Sequence, residues 1–419
     1  MDDQEVVQLL QDLNPQWQNQ RLLGNEDLIE REYLEQLEFR QSVRGVVGLR
    51  RTGKTTLLKQ LIERNKTSER TCYFSFDLEE IDIKRVVQVF CEQILQEPLN
   101  DLENDVEFFF DEVQNLENWS KQVKHFEDNY QNMNFTVTGS SASNILKGSG
   151  ESLAGRINFT HVQPFTFNEY LEFKDIKTKG RSFVGNIQPS TRKEKVEFQK
   201  YFEKGGLPET YDLENPVERL EETLDLIFFR DIVEMFNASR TQVLKGIFKY
   251  LATHTGQKVS YNKIADTLDS DYRTIKKYIQ YLEDSFLIHR SPVHTKNTGK
   301  EMRKNPKIYI ADHAYKQIYA AKEGLKAETI PYNHLKKIED PEYMKDPETD
   351  IVLPEKQMLF EVKYQNHIND SDLENLIQNA KKTGYKPYII SKNTHETRTI
   401  QNQKIKIMPL HTICTVKTK

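Results

Sequence analysis

Only three of the 419 residues are cysteine (Cys72, Cys91 and Cys414). An odd, scattered set of this kind excludes a disulfide framework or a cysteine-built zinc site and fits reduced thiols used as core filler. Long apolar runs are absent too: no stretch reaches the roughly 18 residues that a membrane span needs. The start, Met-Asp-Asp-Gln-Glu, is acidic and lacks a signal-peptide pattern, so the expected location is cytoplasmic, with no membrane partner. With 37% apolar and 29% charged residues the chain has the composition of a rather polar globular protein. Its length suits two to four domains of about 100–200 residues. A large excess of either sign is absent, with 59 Lys and Arg against 64 Asp and Glu for a net of −5, yet the charge is unevenly spread. Eleven Lys and Arg against six Asp and Glu give +5 in residues 258–307 and again in 351–419, leaving −15 for the rest. A polyanion would therefore be met by the second half, although lysine clusters are often only solvated faces.

What is present is organised around Gly48-Leu-Arg-Arg-Thr-Gly53-Lys54-Thr55-Thr56. In the template G-x-x-x-x-G-K-[ST], Gly48, Gly53, Lys54 and Thr55 are in register. Val46-Val47 leads in as a buried strand, and Thr56 to Glu63 leads out with helical periodicity. Glycines at this spacing let backbone N–H groups curl round a phosphate at the positive end of the following helix. The cofactor-binding set expected here is Gly48, Arg51, Thr52, Gly53, Lys54, Thr55 and Thr56. Lys54 would neutralise the β- and γ-phosphates of ATP, and Thr55 would ligate Mg2+.

Val106-Glu-Phe-Phe-Phe-Asp111-Glu112 is an apolar run delivering two acids to a strand end. Asp111 is expected at the Mg2+ and Glu112 as the general base for the attacking water. The next strand, Asn134 to Ser141, ends in small polar groups, with Thr138 and Ser140 as γ-phosphate sensors or an ordinary turn. Arg156, on a glycine-flanked loop, is expected to reach across a subunit boundary to a neighbour's γ-phosphate, implying self-association in the ATP state. A structural ion pair is its alternative. Residues 1–42 contain amphipathic stretches, Glu5 to Leu13 and Leu28 to Phe39, with no residue singled out for the base.

These motifs, together with Leu153-Ala-Gly-Arg156, Pro164-Phe-Thr-Phe-Asn-Glu169 and Gly205-Gly-Leu-Pro-Glu209, resemble a bacterial and archaeal family of AAA-superfamily ATPases. The resemblance implies a P-loop α/β fold with a parallel sheet in 5-1-4-3-2 order, a helical lid, a winged-helix region and a C-terminal domain similar to restriction endonucleases. The implied domains are residues 1–170 (ATPase), 171–240 (insertion and lid), 241–312 (winged helix) and 313–419 (nuclease-like).

Within 241–312, two helices joined by a short turn precede a hairpin with a basic tip. If this module binds DNA, Arg273, Lys276 and Lys277 of the second helix enter the major groove, and Lys300, Arg303 and Lys304 of the wing lie on phosphates. A protein-interaction module is the contrary reading. Tyr278 and Tyr281 share helical spacing with Ile275 and Leu282 and belong to the core. Further on, Asp350 lies near Glu361 and Lys363 if two strands pair across Pro354-Glu-Lys-Gln357. This is similar to the PD-(D/E)XK core, where two carboxylates hold a second divalent metal, Mg2+ or Mn2+, and the lysine assists the nucleophile. That core begins with a helix bearing a further acid, for which Glu323 and Glu328 are poor stand-ins. The expected activity is Mg2+-dependent ATP hydrolysis controlling a DNA-binding or DNA-cleaving half. The competing expectation is a nucleotide-dependent switch that recruits protein partners.

Overall fold

The structure, a computed structural model, describes residues 1–24, 28–37, 42–65, 68–79, 81–140, 153, 155–178, 181–183, 188–234, 236–295, 305–319 and 323–417. It divides into two compact units, Met1–Gln163 with Asp284–Phe286, and Pro164–Glu283 with Leu287–Lys419. Among the described residues no helix is long and apolar enough to cross a membrane.

The first unit is built on strands β1 (Val43–Val47), β2 (Thr71–Ser75), β3 (Val106–Asp111), β4 (Met133–Gly139) and β5 (Ile157–His161). They are all parallel and lie in the order β2-β3-β4-β1-β5, which is the expected 5-1-4-3-2 arrangement. Parallel strands are covered on both faces, so β1 and β2 are buried at every position and β3 carries three consecutive phenylalanines. Helix α1 (Asp3–Leu13) starts in a capping box between Asp2 and Glu5. Just beyond it, the buried Asn14 amide donates to the Tyr73 carbonyl at 2.9 Å and accepts from the Tyr73 N–H at 2.7 Å. This supplies backbone partners to β2, an edge strand. Helix α2 (Tyr33–Leu37) and helix α3 (Lys54–Arg64) share a core in which Leu57, Leu58, Leu61 and Ile62 pack with Leu34, Val46 and Phe109. Each such side chain contributes about 1.5–3 kcal/mol by burial, so Leu58→Ala is expected to cost about 2–5 kcal/mol. Helices α4 (Ile83–Val89) and α5 (Trp119–Asn129) also belong to this unit.

The second unit opens with helices α6 (Phe167–Phe173), α7 (Arg192–Lys204) and α8 (Pro216–Leu226). There follow α9 (Thr241–Thr253), β6 (Gln257–Lys258), α10 (Tyr261–Thr267), α11 (Tyr272–Asp284), β7 (Ile288–Ser291) and β8 (Lys307–Ile310). The three strands form an antiparallel sheet in the order β6-β8-β7. After α12 (Glu323–Leu335) comes a sheet of six strands: β9 (Glu342–Lys345), β10 (Glu348–Leu353), β11 (Met358–Lys363), β12 (Lys386–Ser391), β13 (Glu396–Ile400) and β14 (Gln403–Pro409). Their order is β13-β14-β12-β11-β10-β9, with α13 (Glu374–Thr383) crossing over between the parallel neighbours β11 and β12, and α14 (Leu410–Ile413) after β14.

Two buried polar pins hold distant parts of this unit together. Asp312 accepts from the Gly206 N–H at 2.8 Å and the Ala314 N–H at 2.7 Å. Burial raises its carboxyl to about 7, against the pull of these N–H donors. Arg181 grips Glu194 through two nitrogens, at 2.8 and 3.0 Å, and donates to the Thr415 hydroxyl at 2.9 Å.

Candidate functional site

The C-terminal end of β1 passes directly into the glycine loop. Gly48 has φ +156°, and a Cβ there would collide with the Val162 carbonyl oxygen, so only glycine fits. Gly53 takes φ +89° as the N-cap of α3 and brings no side-chain acceptor, so the first N–H groups of the helix have no side-chain cap. Between them Arg51 also adopts a positive φ of +68°. The Thr52 hydroxyl donates back to Leu49 at 2.8 Å, and the Lys54 ammonium donates to the carbonyls of Gly48 and Leu49, each at 3.1 Å. The loop is braced from a residue that no motif marks. Buried Arg31 donates to the carbonyl of Thr52 at 2.9 Å and to that of Gln163 at 2.8 Å.

Asp111, at the end of β3, is the hub of the site. Its Oδ2 accepts from the Thr55 hydroxyl at 2.7 Å and from the Tyr73 phenol at 3.1 Å, and its Oδ1 from the Thr138 hydroxyl. Burial, then the neighbouring Glu112 charge, raises the Asp111 carboxyl, while Thr138, Thr55 and Lys54 pull it down. Burial also raises the Tyr73 phenol, which stays a donor. Glu112 stands at φ +55°, with its N–H on the Thr138 oxygen at 3.0 Å. Its carboxylate accepts from Gln114, whose amide also reaches Ser140 at 3.4 Å. The structure therefore gathers Lys54, Thr55, Asp111, Glu112, Thr138 and Ser140 at one edge of the sheet. Tyr73, Gln114 and Arg31 join them although no sequence pattern points to them.

Arg156 is placed elsewhere. It precedes β5, whose first residue pairs with Val43 at the start of β1, so it stands at the opposite edge of the sheet from the glycine loop. Five residues of strand separate the two ends by about 16 Å. There it is ion-paired with Glu127 and Asp128, at the end of α5, which is the structural alternative open to it.

In the second unit Asp350 of β10 lies one step beyond the Ile351–Phe360 pair, opposite Glu361 of β11. Its Oδ2 accepts from the Val362 N–H at 2.9 Å, and Glu361 Oε1 pairs with Lys363 at 2.9 Å. Glu328, a poor stand-in on sequence grounds, is brought here by α12. Its Oε1 accepts from Tyr309 at 2.7 Å and from Lys307 at 3.2 Å. The Lys307 ammonium also meets Asp350 Oδ1 at 2.7 Å and Glu348 Oε1 at 3.2 Å. Burial would lower the Lys307 ammonium, but Asp350 and Glu328 overcome this and hold it well above its ordinary range. Burial, then the Asp350 charge, raises the carboxyls of both Glu328 and Glu361. Among the described residues no group of three or more His, Cys, Asp or Glu converges to hold a metal ion.

On α11, Arg273, Lys276 and Lys277 are exposed while Ile275, Tyr278, Ile279, Tyr281 and Leu282 are buried, so the two tyrosines are core residues as expected. Lys300, Arg303 and Lys304 lie outside the described residues.

Comparison with known proteins follows the same division. Residues 40–171 match the model of a family described as an AAA domain, and residues 195–324 match a domain of unknown function. An uncharacterized protein of Haemophilus influenzae is 29% identical over 313 residues, 71% of this chain and 75% of that one. An uncharacterized protein of Methanocaldococcus jannaschii is 31% identical over 261 residues, 59% of this chain and 55% of its own length. Among solved structures, a Walker-type ATPase of Pyrococcus abyssi is similar over 70% of this chain and 96% of its own, with 16% identity and a TM-score of 0.44. The ORC2 protein of Aeropyrum pernix in its ADP form covers 74% and 91%, with 11% identity and a TM-score of 0.34. The first unit thus holds most of the stretch that matches an AAA domain.

Proposed function

We propose that this protein hydrolyses Mg2+-ATP at the edge of the five-stranded sheet and uses turnover to control a DNA-binding second unit. The observation that carries the ATPase reading is the 2.7 Å hydrogen bond from Thr55 to Asp111, set beside Lys54 and a glycine loop that tolerates no Cβ at Gly48. A buried, raised carboxyl touching the hydroxyl of the P-loop threonine is the donor pair that suits a hard divalent cation, so Thr55 and Asp111 are the residues that would hold Mg2+. When bound, the ion supplies charge neutralisation on the phosphates. Lys54 binds the β- and γ-phosphates. Glu112, held by Gln114, takes the proton of the attacking water, and Thr138 fixes both acids by bridging the Asp111 carboxylate and the Glu112 N–H.

For the second unit, the sequence of elements α9-β6-α10-α11-β7-β8 supports a winged helix, with α11 presenting Arg273, Lys276 and Lys277 to a polyanion. Helix α12, then β9 to β11, α13 and β12, supports a nuclease-like core around Asp350, Glu361 and Lys363. Steady-state ATP hydrolysis with Mg2+, with and without single-stranded, duplex and branched DNA, tests the whole reading. Stimulation by one DNA form, abolished in Lys54→Ala, is the expected result; no turnover with any addition overturns it. The ammonium of Lys307 among the carboxylates favours a second reading for the C-terminal part, a non-cleaving scaffold that recruits partners. DNA-indifferent turnover with nucleotide-dependent self-association is its signature.

A further inference from the structure

We infer that Tyr73 is a positioning residue for the Asp111 carboxylate and that the N-terminal segment sets it through Asn14, so that residues outside the glycine loop tune how tightly Mg2+ is held with nucleotide. The inference rests on the proposed function, which gives Asp111 its ion. Tyr73 stands in the middle of β2, paired with Phe109 of β3, and shares a buried core with Val46, Leu57 and Leu61. Its phenol donates at 3.1 Å to Asp111 Oδ2, the same oxygen that accepts from Thr55 at 2.7 Å, while Thr138 holds Oδ1. Three hydroxyls, from β2, α3 and β4, therefore keep the carboxylate in one orientation, as the outer partners of a metal ligand do. Their roles differ. Thr55 is itself a residue that would hold the ion, and Thr138 also receives the Glu112 N–H. Burial keeps the Tyr73 phenol protonated, so it orients Asp111 as a donor and cannot replace it as an anionic ligand.

The main chain of Tyr73 is held as firmly as its phenol. Asn14 is fully buried, and its amide accepts from the Tyr73 N–H at 2.7 Å and donates to the Tyr73 carbonyl at 2.9 Å, the pair of bonds that an antiparallel strand would make. The same amide donates to the Leu10 carbonyl within α1 at 2.8 Å and accepts from Gln16 at 2.9 Å. All four bonds that an asparagine amide can make are thus used. Trp17 adds a further contact to β2, donating from its indole to the Thr71 carbonyl at 2.7 Å. Because β2 is the edge of the sheet, no further strand fixes its register. A slip of one residue would turn the phenol to the opposite face. Residues 10–17 therefore clamp the strand that carries the contact to Asp111.

The test is read as nucleotide binding, without turnover. Full-length parent and variants are titrated with a fluorescent ATP analogue in EDTA and then across a range of Mg2+ concentrations. Tyr73→Phe keeps the ring and its packing. It is expected to leave binding in EDTA unchanged while raising the Mg2+ concentration that gives half-maximal tightening by about tenfold or more. Asn14→Ala should move this midpoint in the same direction, and adding it to Tyr73→Phe should move it little further, since Asn14 acts through the phenol. A Tyr73→Phe midpoint equal to the parent's overturns the inference, and so does a Tyr73→Phe protein that loses binding in EDTA, because its role is then in the fold alone. An Asn14→Ala midpoint equal to the parent's overturns the part given to the N-terminal segment. Should Asn14→Ala lose binding in EDTA, Trp17→Phe takes its place and is read in the same way. A parent that binds no nucleotide, or binds it regardless of Mg2+, is a failure of the proposed function and takes the inference with it.

Discussion

Each unit sets a carboxylate on a strand, Asp111 at the end of β3 in one and the partly buried Asp350 within β10 in the other, and the two surround it in opposite ways. Asp111 is dressed with hydroxyls, from Thr55, Tyr73 and Thr138, which lend hydrogen bonds without neutralising its charge. Asp350 is met by a full positive charge, Lys307, drawn from another sheet of the same unit. Hydroxyl partners leave the electrostatic demand to be met from outside, which suits the Mg2+ proposed for Asp111. A lysine meets it from within. Asp111 is thereby left open to the ion proposed above, while Asp350 belongs to a self-satisfied cluster.

The largest effect should come from breaking the first half of this contrast. Glu112→Gln keeps the shape and the Gln114 contact but removes the base, so single-turnover hydrolysis should fall by about 10²–10⁴-fold while binding of a fluorescent ATP analogue persists. Undiminished turnover would require another base. The second half is broken by Lys307→Met, which strands three acids without their counter-charge. Chemical denaturation in the absence of divalent metal should show a loss of about 3–5 kcal/mol, and a variant as stable as the parent would mean the acids simply protonate.

Acid separates the units further. Burial, then the Lys337 charge, lowers His334 to about 4 from an ordinary 6.5. Its folded-state pKa is depressed, so the stability it contributes as a neutral ring is present above pH 6.5 and is lost as pH falls toward 4. The full loss amounts to about 3 kcal/mol for this shift. His334→Gln should flatten that fall in pH-dependent urea melts, and parallel curves for the two proteins would remove His334 as the cause. Asp111 has the opposite sign: its raised carboxyl favours the folded first unit at low pH and that contribution is lost as pH rises. The smallest effect is expected at Arg156. Its ion pairs lie at the far edge of the sheet, so Arg156→Ala should change turnover by less than about threefold, and a loss of orders of magnitude would restore a role across a subunit boundary.

Much of the first unit is legible in the sequence because its chemistry is local. A buried strand, a glycine loop and a helix are consecutive, and the phenylalanine run ends on its acids, so the set from Gly48 to Thr55 with Asp111 follows from short patterns, whereas the strand order rests on the family resemblance. Arg31 is illegible because its acceptors, Thr52 and Gln163, lie 21 and 132 residues away. Glu328 is ranked as a poor stand-in for a related reason. Its helix contains Pro331, which blurs the periodicity, and only the folded chain reveals that α12 faces β10. Lys307 reads as one more basic residue near the 296–304 segment, and nothing in its neighbours announces partners 21 and 43 residues downstream. For Arg156 a glycine-flanked arginine looks the same at either edge of a sheet, so the sequence leaves a subunit-boundary role and an ion pair as alternatives, and the fold supplies the ion pairs with Glu127 and Asp128.

The grip of Arg181 on Thr415 has a consequence for how the chain is made. The partners are separated by 234 residues. A ribosome adding about 5–20 residues per second needs roughly ten to fifty seconds to deliver the second after the first. During that interval Arg181 and Glu194 have emerged without the hydroxyl that completes their pin, and Gly206 waits similarly for Asp312. The strands β1 to β5, by contrast, all lie within residues 43–161 and can pair while the rest is still being translated. The nascent protein therefore acquires its glycine-loop sheet early and closes its second half last, with the final pin set only as residues near 415 leave the exit tunnel.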